Sequence, residues 1–142
     1  MQKNADPGHW IGVLVGGLLA LSITFPPIMQ RAAFEAFILS LPSTTLVHQW
    51  GNASVGKVGG KIFALLNSDP GEVWLKVSDM AYELLTELEG IRPAPYLARA
   101  GWVALSAGAP LSEDEIKAYL TEAHRLVALR LTRKLRAELG LG

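Results

Sequence analysis

Apolar positions along this chain change their spacing from one stretch to the next, and each change predicts an element. Phe34, Phe37, Ile38 and Leu41 recur at i, i+3, i+4 and i+7, one stripe on a helix that opens near Met29 and is stopped by Pro42. From Thr44 to Val77 the period drops to that of strands, broken at Gly51-Asn52, Gly59-Gly60 and Asn67-Ser68-Asp69-Pro70-Gly71. Four antiparallel strands are predicted there. Gly59-Gly60, set between Val58 and Lys61, suits a two-residue hairpin whose turn positions both need positive φ. In the last of these strands Val73, Leu75 and Val77 alternate with Trp74 and Lys76, so helices are expected over the valine side.

Ser78 or Asp79 can cap a second helix with Ala81, Leu84, Leu85 and Leu88 inward, Glu83 and Glu87 outward, and Gly90 at its end. Pro93 and Pro95 predict an irregular segment before a short strand over Gly101 to Ser106, in which Trp102 and Val103 face opposite ways. Ser112 with Glu115 forms a capping box. It starts a final helix whose apolar face runs through Ile116, Tyr119, Leu120, Ala123, Val127, Leu131 and Leu135 to Gly140, with a bend marked at Thr132. The expected class is α+β: a two-layer sandwich with an antiparallel sheet of about five strands and helices packed on one face.

Length and composition narrow this further. With 142 residues the chain holds one ordinary core, placed at residues 29–142, while residues 1–28 form an apolar extension outside it. Within the extension, Trp10 to Phe25 is uncharged, but as a helix it would reach only about 24 Å against a hydrocarbon core of roughly 30 Å. No stable membrane span is expected. The favoured reading is a segment foreign to the domain; a signal or anchor and a segment docked on the core stand as alternatives. Thirteen basic residues balance thirteen acidic ones, so any polyanion binding must come from local clustering. Absence of cysteine excludes disulfides and thiolate chemistry and suits a reducing cytoplasm, the expected location.

Five stretches, in order, carry a resemblance to a known family: LSLPSTT at Leu39 to Thr45, GKVGGKIFALL at Gly56 to Leu66, VWLKV at Val73 to Val77, RPAPYLARAGWVAL at Arg92 to Leu105, and AHRLVALRLTRKLR at Ala123 to Arg136. Together they resemble the MmcQ/YjbR family of small bacterial domains. The resemblance implies a frataxin-like (CyaY-like) sandwich and a label as DNA-binding. Residues 1–28 have no counterpart in the family, and Thr132 stands where a proline is expected.

Candidate chemistry is sparse. Gly56 to Ile62 imitates a phosphate loop, but Val55 and Ile62 occupy positions that need glycine and a hydroxyl residue, and a strand follows. His9, His48 and His124 lie in separate segments without a second ligand at metal spacing. Glu83 with Glu87, and Glu113 with Asp114, belong on solvated helix faces. The first helix offers only Glu35, too little for a frataxin-type acidic ridge. No catalytic residue, metal or cofactor is therefore expected.

The strongest functional signal is basic. Arg125, Arg130, Arg133, Lys134 and Arg136 follow one another with no acid until Glu138, and Lys76, Lys57 or Lys61 could extend the surface. Cations near a helix C-terminus also complement its dipole, which is the plainer account. If Val58 pairs with Lys61, however, Lys57 and Lys61 point to opposite faces. The expected function is a non-enzymatic binding domain for DNA. The alternative is a protein- or small-ligand-binding module using Trp74, Tyr96, Arg99 and Trp102. Oligomeric state is not set by the sequence.

Overall fold

The stripe on the first helix meets the sheet where the sheet has no side chain. In the computed structural model, which describes residues 27–142, helix α1 (Arg31–Ser40) buries Phe34 and Ile38 completely. A Cβ on Gly56 would lie 2.9 Å from Ile38 Cγ2, so only glycine lets the helix come this close. His9 and the apolar run from Trp10 to Phe25 lie outside the described residues.

The predicted strands form as β1 (Thr44–Gln49), β2 (Ala53–Val58), β3 (Lys61–Leu66) and β4 (Val73–Lys76), all neighbours antiparallel. Beyond them come α2 (Asp79–Leu85), β5 (Ile91–Pro93), a 3-10 turn at Ala98–Ala100, β6 (Trp102–Leu105), α3 (Glu113–Ala128) and α4 (Arg133–Glu138). The sheet therefore has six strands, in the order β1-β2-β3-β4-β6-β5, where about five are expected. The additional strand, β5, comes from the segment predicted to be irregular. It is an edge strand paired only with β6, where Pro93 and its missing N–H are tolerated.

Val73, Leu75 and Val77 face the helices, with Val103 and Leu105 beside them, while Trp74 and Lys76 take the other face, as alternation predicts. A bulge interrupts β2–β3: Gly56 pairs with Ala64 and Lys57 with Ile62, so Phe63 is the extra residue. Phe63 and Ala64 thus both enter the helix-side core. That core also holds Leu66, Ile116 and Leu120, each fully burying a side chain, which favours the folded state by about 1.5–3 kcal/mol per residue.

Two helix expectations are corrected. In α2 the inward residues are Leu85, Ala81 and Tyr82, whereas Leu84 is 62% and Leu88 39% exposed. The helix is only two turns long and rests over the narrow β5–β6 edge, which has room for one arc of its surface. The final helix does not run to Gly140 in one piece. It stops at Ala128, Leu131 turns inward, and Thr132 begins α4 as its N-cap by accepting a hydrogen bond from the Leu135 amide at 3.1 Å.

Candidate functional site

The hairpin turn and the junction between α3 and α4 form one corner of the molecule. Gly59 and Gly60 both have positive φ, +56° and +81°, and a Cβ on Gly59 would lie 2.6 Å from Leu131 Cδ1. Packing of the turn on Leu131 sets Lys61, just past the turn, at the same corner as Arg130, Arg133 and Lys134. All four are exposed, and none pairs with a carboxylate among the described residues.

The other candidate cations are placed differently. Val58 does pair with Lys61, so Lys57 lies on the face away from the helices, along with Lys76. Lys76 Nζ donates to the Ala100 carbonyl. Arg125 is held by Glu122, with Nε–Oε1 at 2.9 Å and Nη2–Oε2 at 2.5 Å. These hydrogen bonds raise the Arg125 pKa and lower that of Glu122. Arg136 turns back to donate from Nη1 to the Leu129 carbonyl at 3.1 Å, while its Nε is buried without a partner among the described residues. Of the eight predicted cations, then, Lys61, Arg130, Arg133 and Lys134 are the exposed ones that lie within a few residues of the Gly59–Leu131 contact and have no carboxylate partner among the described residues. Cations so placed can contact successive phosphates, the arginines as bidentate donors.

Beside this corner lies a largely apolar groove of about 320 Å³, bordered by Leu41, Pro42, His124, Leu129 and Arg136. His124 is engaged structurally: Nε2 donates to the Pro42 carbonyl at 2.8 Å, and the Phe63 ring meets it edge-on with centroids 5.3 Å apart. Among the described residues no three His, Asp or Glu side chains gather as metal ligands, and no helix is long and apolar enough to cross a membrane.

On the opposite sheet face Trp74 and Trp102 share a cluster with Ile62, Ala94, Leu97 and Ala104. Trp102 is buried. Trp74 Nε1 donates to Glu72, whose carboxylate, 9% exposed, also receives Arg92 at 2.8 and 3.0 Å. That pairing raises the Arg92 pKa. Tyr96 and Arg99 stand in solvent, so the aromatic group is brought together only in part.

A polar cluster that sequence reasoning missed joins α1 to the β1–β2 edge. Glu35 Oε2 accepts from Ser54 Oγ at 2.5 Å and from His48 Nε2 at 2.7 Å, while Arg31 Nη1 donates to Ser54 Oγ at 2.5 Å. His48 and Ser54 are cross-strand partners, so strand register could have paired them, but nothing in the sequence announces that Glu35 docks above both. The Ser54 and His48 hydrogen bonds hold the Glu35 carboxyl below its ordinary pKa. Ser54 is fully buried and donates to the carboxylate rather than to the imidazole, which makes this a clamp between helix and sheet, not an activated nucleophile.

The chain has relatives of known sequence and structure. A family model described as YjbR matches residues 39–126. The crystal structure of a Deinococcus radiodurans protein with the DUF419 domain superposes with a TM-score of 0.72 at 23% identity, covering 83% of this chain and 93% of that one. A Pseudomonas syringae protein gives a TM-score of 0.57 at 23% identity, covering 69% and 98%. Likeness at these identities is one of fold. No curated protein matches the sequence.

Proposed function

The chain belongs to the YjbR family, and we propose that it is a non-enzymatic domain that engages the phosphate backbone of DNA through the corner formed by the β2–β3 hairpin and the α3–α4 junction. The observation that carries this reading is the packing of Gly59 on Leu131, which brings the chain segment of Lys61 against that of Arg130, Arg133 and Lys134, four exposed cations without acidic partners among the described residues. Zero net charge means that attraction is confined to this corner. Contacts to phosphate carry no sequence information, so binding is weak, salt-sensitive and largely indifferent to base sequence. The neighbouring cations Arg125 and Arg136 contribute less because each is already engaged, by Glu122 and Leu129, and Lys76 lies on the other sheet face, donating to Ala100.

A salt titration with a short DNA duplex tests the reading. Affinity should fall steeply with salt, and the triple variant Arg130→Ala, Arg133→Ala, Lys134→Ala should flatten the slope by about 2 to 3, close to one unit for each phosphate no longer neutralised. Lys57→Ala with Lys76→Ala, on the other sheet face, should leave the slope unchanged. No salt-sensitive binding at low ionic strength, or a slope governed by the Lys57–Lys76 face, would overturn the proposal.

A further inference from the structure

Helix α2 shows solvent an apolar stripe that its own core does not use. Met80 is 75% exposed and Leu84 62%, one turn apart on the same side of the helix, and Leu88, 39% exposed, follows in the turn just past its end. Three of the seven large exposed hydrophobic residues among the described ones thus lie on this short segment, the kind of contiguous patch that marks an interaction surface. Asp79, Glu83, Glu87 and Glu89 rim the stripe, all exposed, and the segment from Asp79 to Gly90 contains no lysine or arginine.

The α3–α4 corner has the opposite character. Leu129 stands 54% exposed there among Arg130, Arg133 and Lys134, and no acid occurs between Arg125 and Arg136. The two surfaces lie apart in one molecule: α2 rests over β5 and β6 at one edge of the sheet, whereas the basic corner sits at the β2–β3 turn beyond its middle. A neutral chain therefore carries an acidic apolar patch and a basic apolar patch that cannot meet within one copy.

We propose that the α2 stripe docks on the α3–α4 corner of a second copy of this chain. The carboxylates of one copy face the cations of the next, with Met80, Leu84 and Leu88 closing over Leu129 between them. Pairing of two α2 helices would bury the same apolar stripe but would oppose Glu83 and Glu87 to their own copies, an unfavourable like-charge arrangement. Head-to-tail contact of this kind is heterologous, so it extends to a ring or a short string of copies rather than stopping by symmetry at two. The apolar area is small, and association is correspondingly weak and concentration-dependent. Because the basic corner is shared, self-association competes with DNA there, but the α2 face stands independently of the DNA reading.

Sedimentation equilibrium of the full chain over a range of concentrations and salt provides the test. Wild-type protein should associate, less so at high salt. Met80→Ser with Leu84→Ser, and separately Glu83→Lys with Glu87→Lys, should weaken association by roughly tenfold or more. Arg133→Glu with Lys134→Glu should do the same, and an equimolar mixture of the two charge-reversed chains should recover the association that is missing from each alone. All the substituted side chains are exposed, and a thermal melt of each variant checks that the fold is retained. A chain that stays monomeric at high concentration, association strengthened by salt, or charge-reversed chains that fail to recover on mixing would each overturn the proposal. At protein concentrations too low for self-association, Met80→Ser with Leu84→Ser, which changes no charge, should keep the wild-type salt slope for DNA, so failure of the self-association and failure of DNA binding are read separately.

Discussion

Gly59 and Leu131 are in direct apposition: a Cβ on the glycine would lie 2.6 Å from Cδ1 and 3.0 Å from Cδ2 of a leucine that is only 5% exposed. Gly60, the next residue in the same turn, has open space around its missing side chain. Both have positive φ, so an alanine at either position costs roughly 1–2 kcal/mol for backbone strain. Only at Gly59 must a buried leucine also move, adding roughly 1–3 kcal/mol. Urea unfolding should rank Gly59→Ala clearly below Gly60→Ala in stability. Equal losses would mean that the turn does not press on the α3–α4 junction.

Much of the fold is legible in the sequence because its signals are local. Gly59-Gly60 defines its hairpin through two positive φ angles, Val73, Leu75 and Val77 declare their face by alternation, and Ser112 with Glu115 satisfies the first amides of α3. What is not legible depends on distant partners. The bulge that turns Phe63 inward, the strand at Ile91–Pro93 and the outward turn of Leu84 and Leu88 are each decided by what the rest of the sheet leaves room for. The basic stripe could be read along the chain. The pairing of Arg125 with Glu122 is a local i, i+3 contact within α3, whereas the return of Arg136 to Leu129 and the approach of Lys61 to the α3–α4 junction need the turn at Leu131 and its packing on Gly59.

Glu35 makes stability pH-dependent in a stated direction. Hydrogen bonds from Ser54 and His48, and the charge of Arg31, hold its pKa below the ordinary value in the folded chain. A depressed carboxylate contributes stability that is fully present above its unfolded pKa, about 4.3, and is lost as pH falls through the lower folded value. Chemical unfolding at a series of pH values should show the wild type losing stability below about pH 4 more steeply than Glu35→Gln. Near neutral pH Glu35→Ala should cost about 1–3 kcal/mol, because it leaves the buried Ser54 hydroxyl without its acceptor. Parallel acid limbs in wild type and Glu35→Gln would remove this carboxylate from the pH dependence.

The Glu72–Arg92 pair should show strong coupling. Glu72 is nearly buried and takes both Arg92 nitrogens and the Trp74 indole, whereas the arginine is about half exposed. Arg92→Leu strands a desolvated carboxylate and should cost about 2–4 kcal/mol, below the range for a fully buried pair because water can reach the vacated side. Glu72→Met combined with Arg92→Leu removes both charges and should cost less than the sum of the single changes. A double-mutant cycle by denaturant unfolding measures the difference, and strict additivity would mean that the pair contributes no coupling.

Thr132 separates the stability of the α3–α4 junction from its charge. Its hydroxyl accepts from the Leu135 amide and starts α4 where the apolar pattern alone predicts one continuous helix. Thr132→Ala removes that cap and should cost about 1 kcal/mol. Thr132→Asp replaces it with a cap of equal or better quality and puts a negative charge at the positive end of the α4 dipole, so stability should be kept or slightly raised. The same carboxylate also enters the corner beside Arg130, Arg133 and Lys134 and partly neutralises it. DNA affinity and its salt slope should therefore fall for Thr132→Asp while the unfolding midpoint does not. Thr132→Ala should move in the opposite sense, with a lower midpoint and a nearly unchanged slope. If the two variants instead change affinity in proportion to stability, the junction acts on DNA only by staying folded, and its charge has no part in binding.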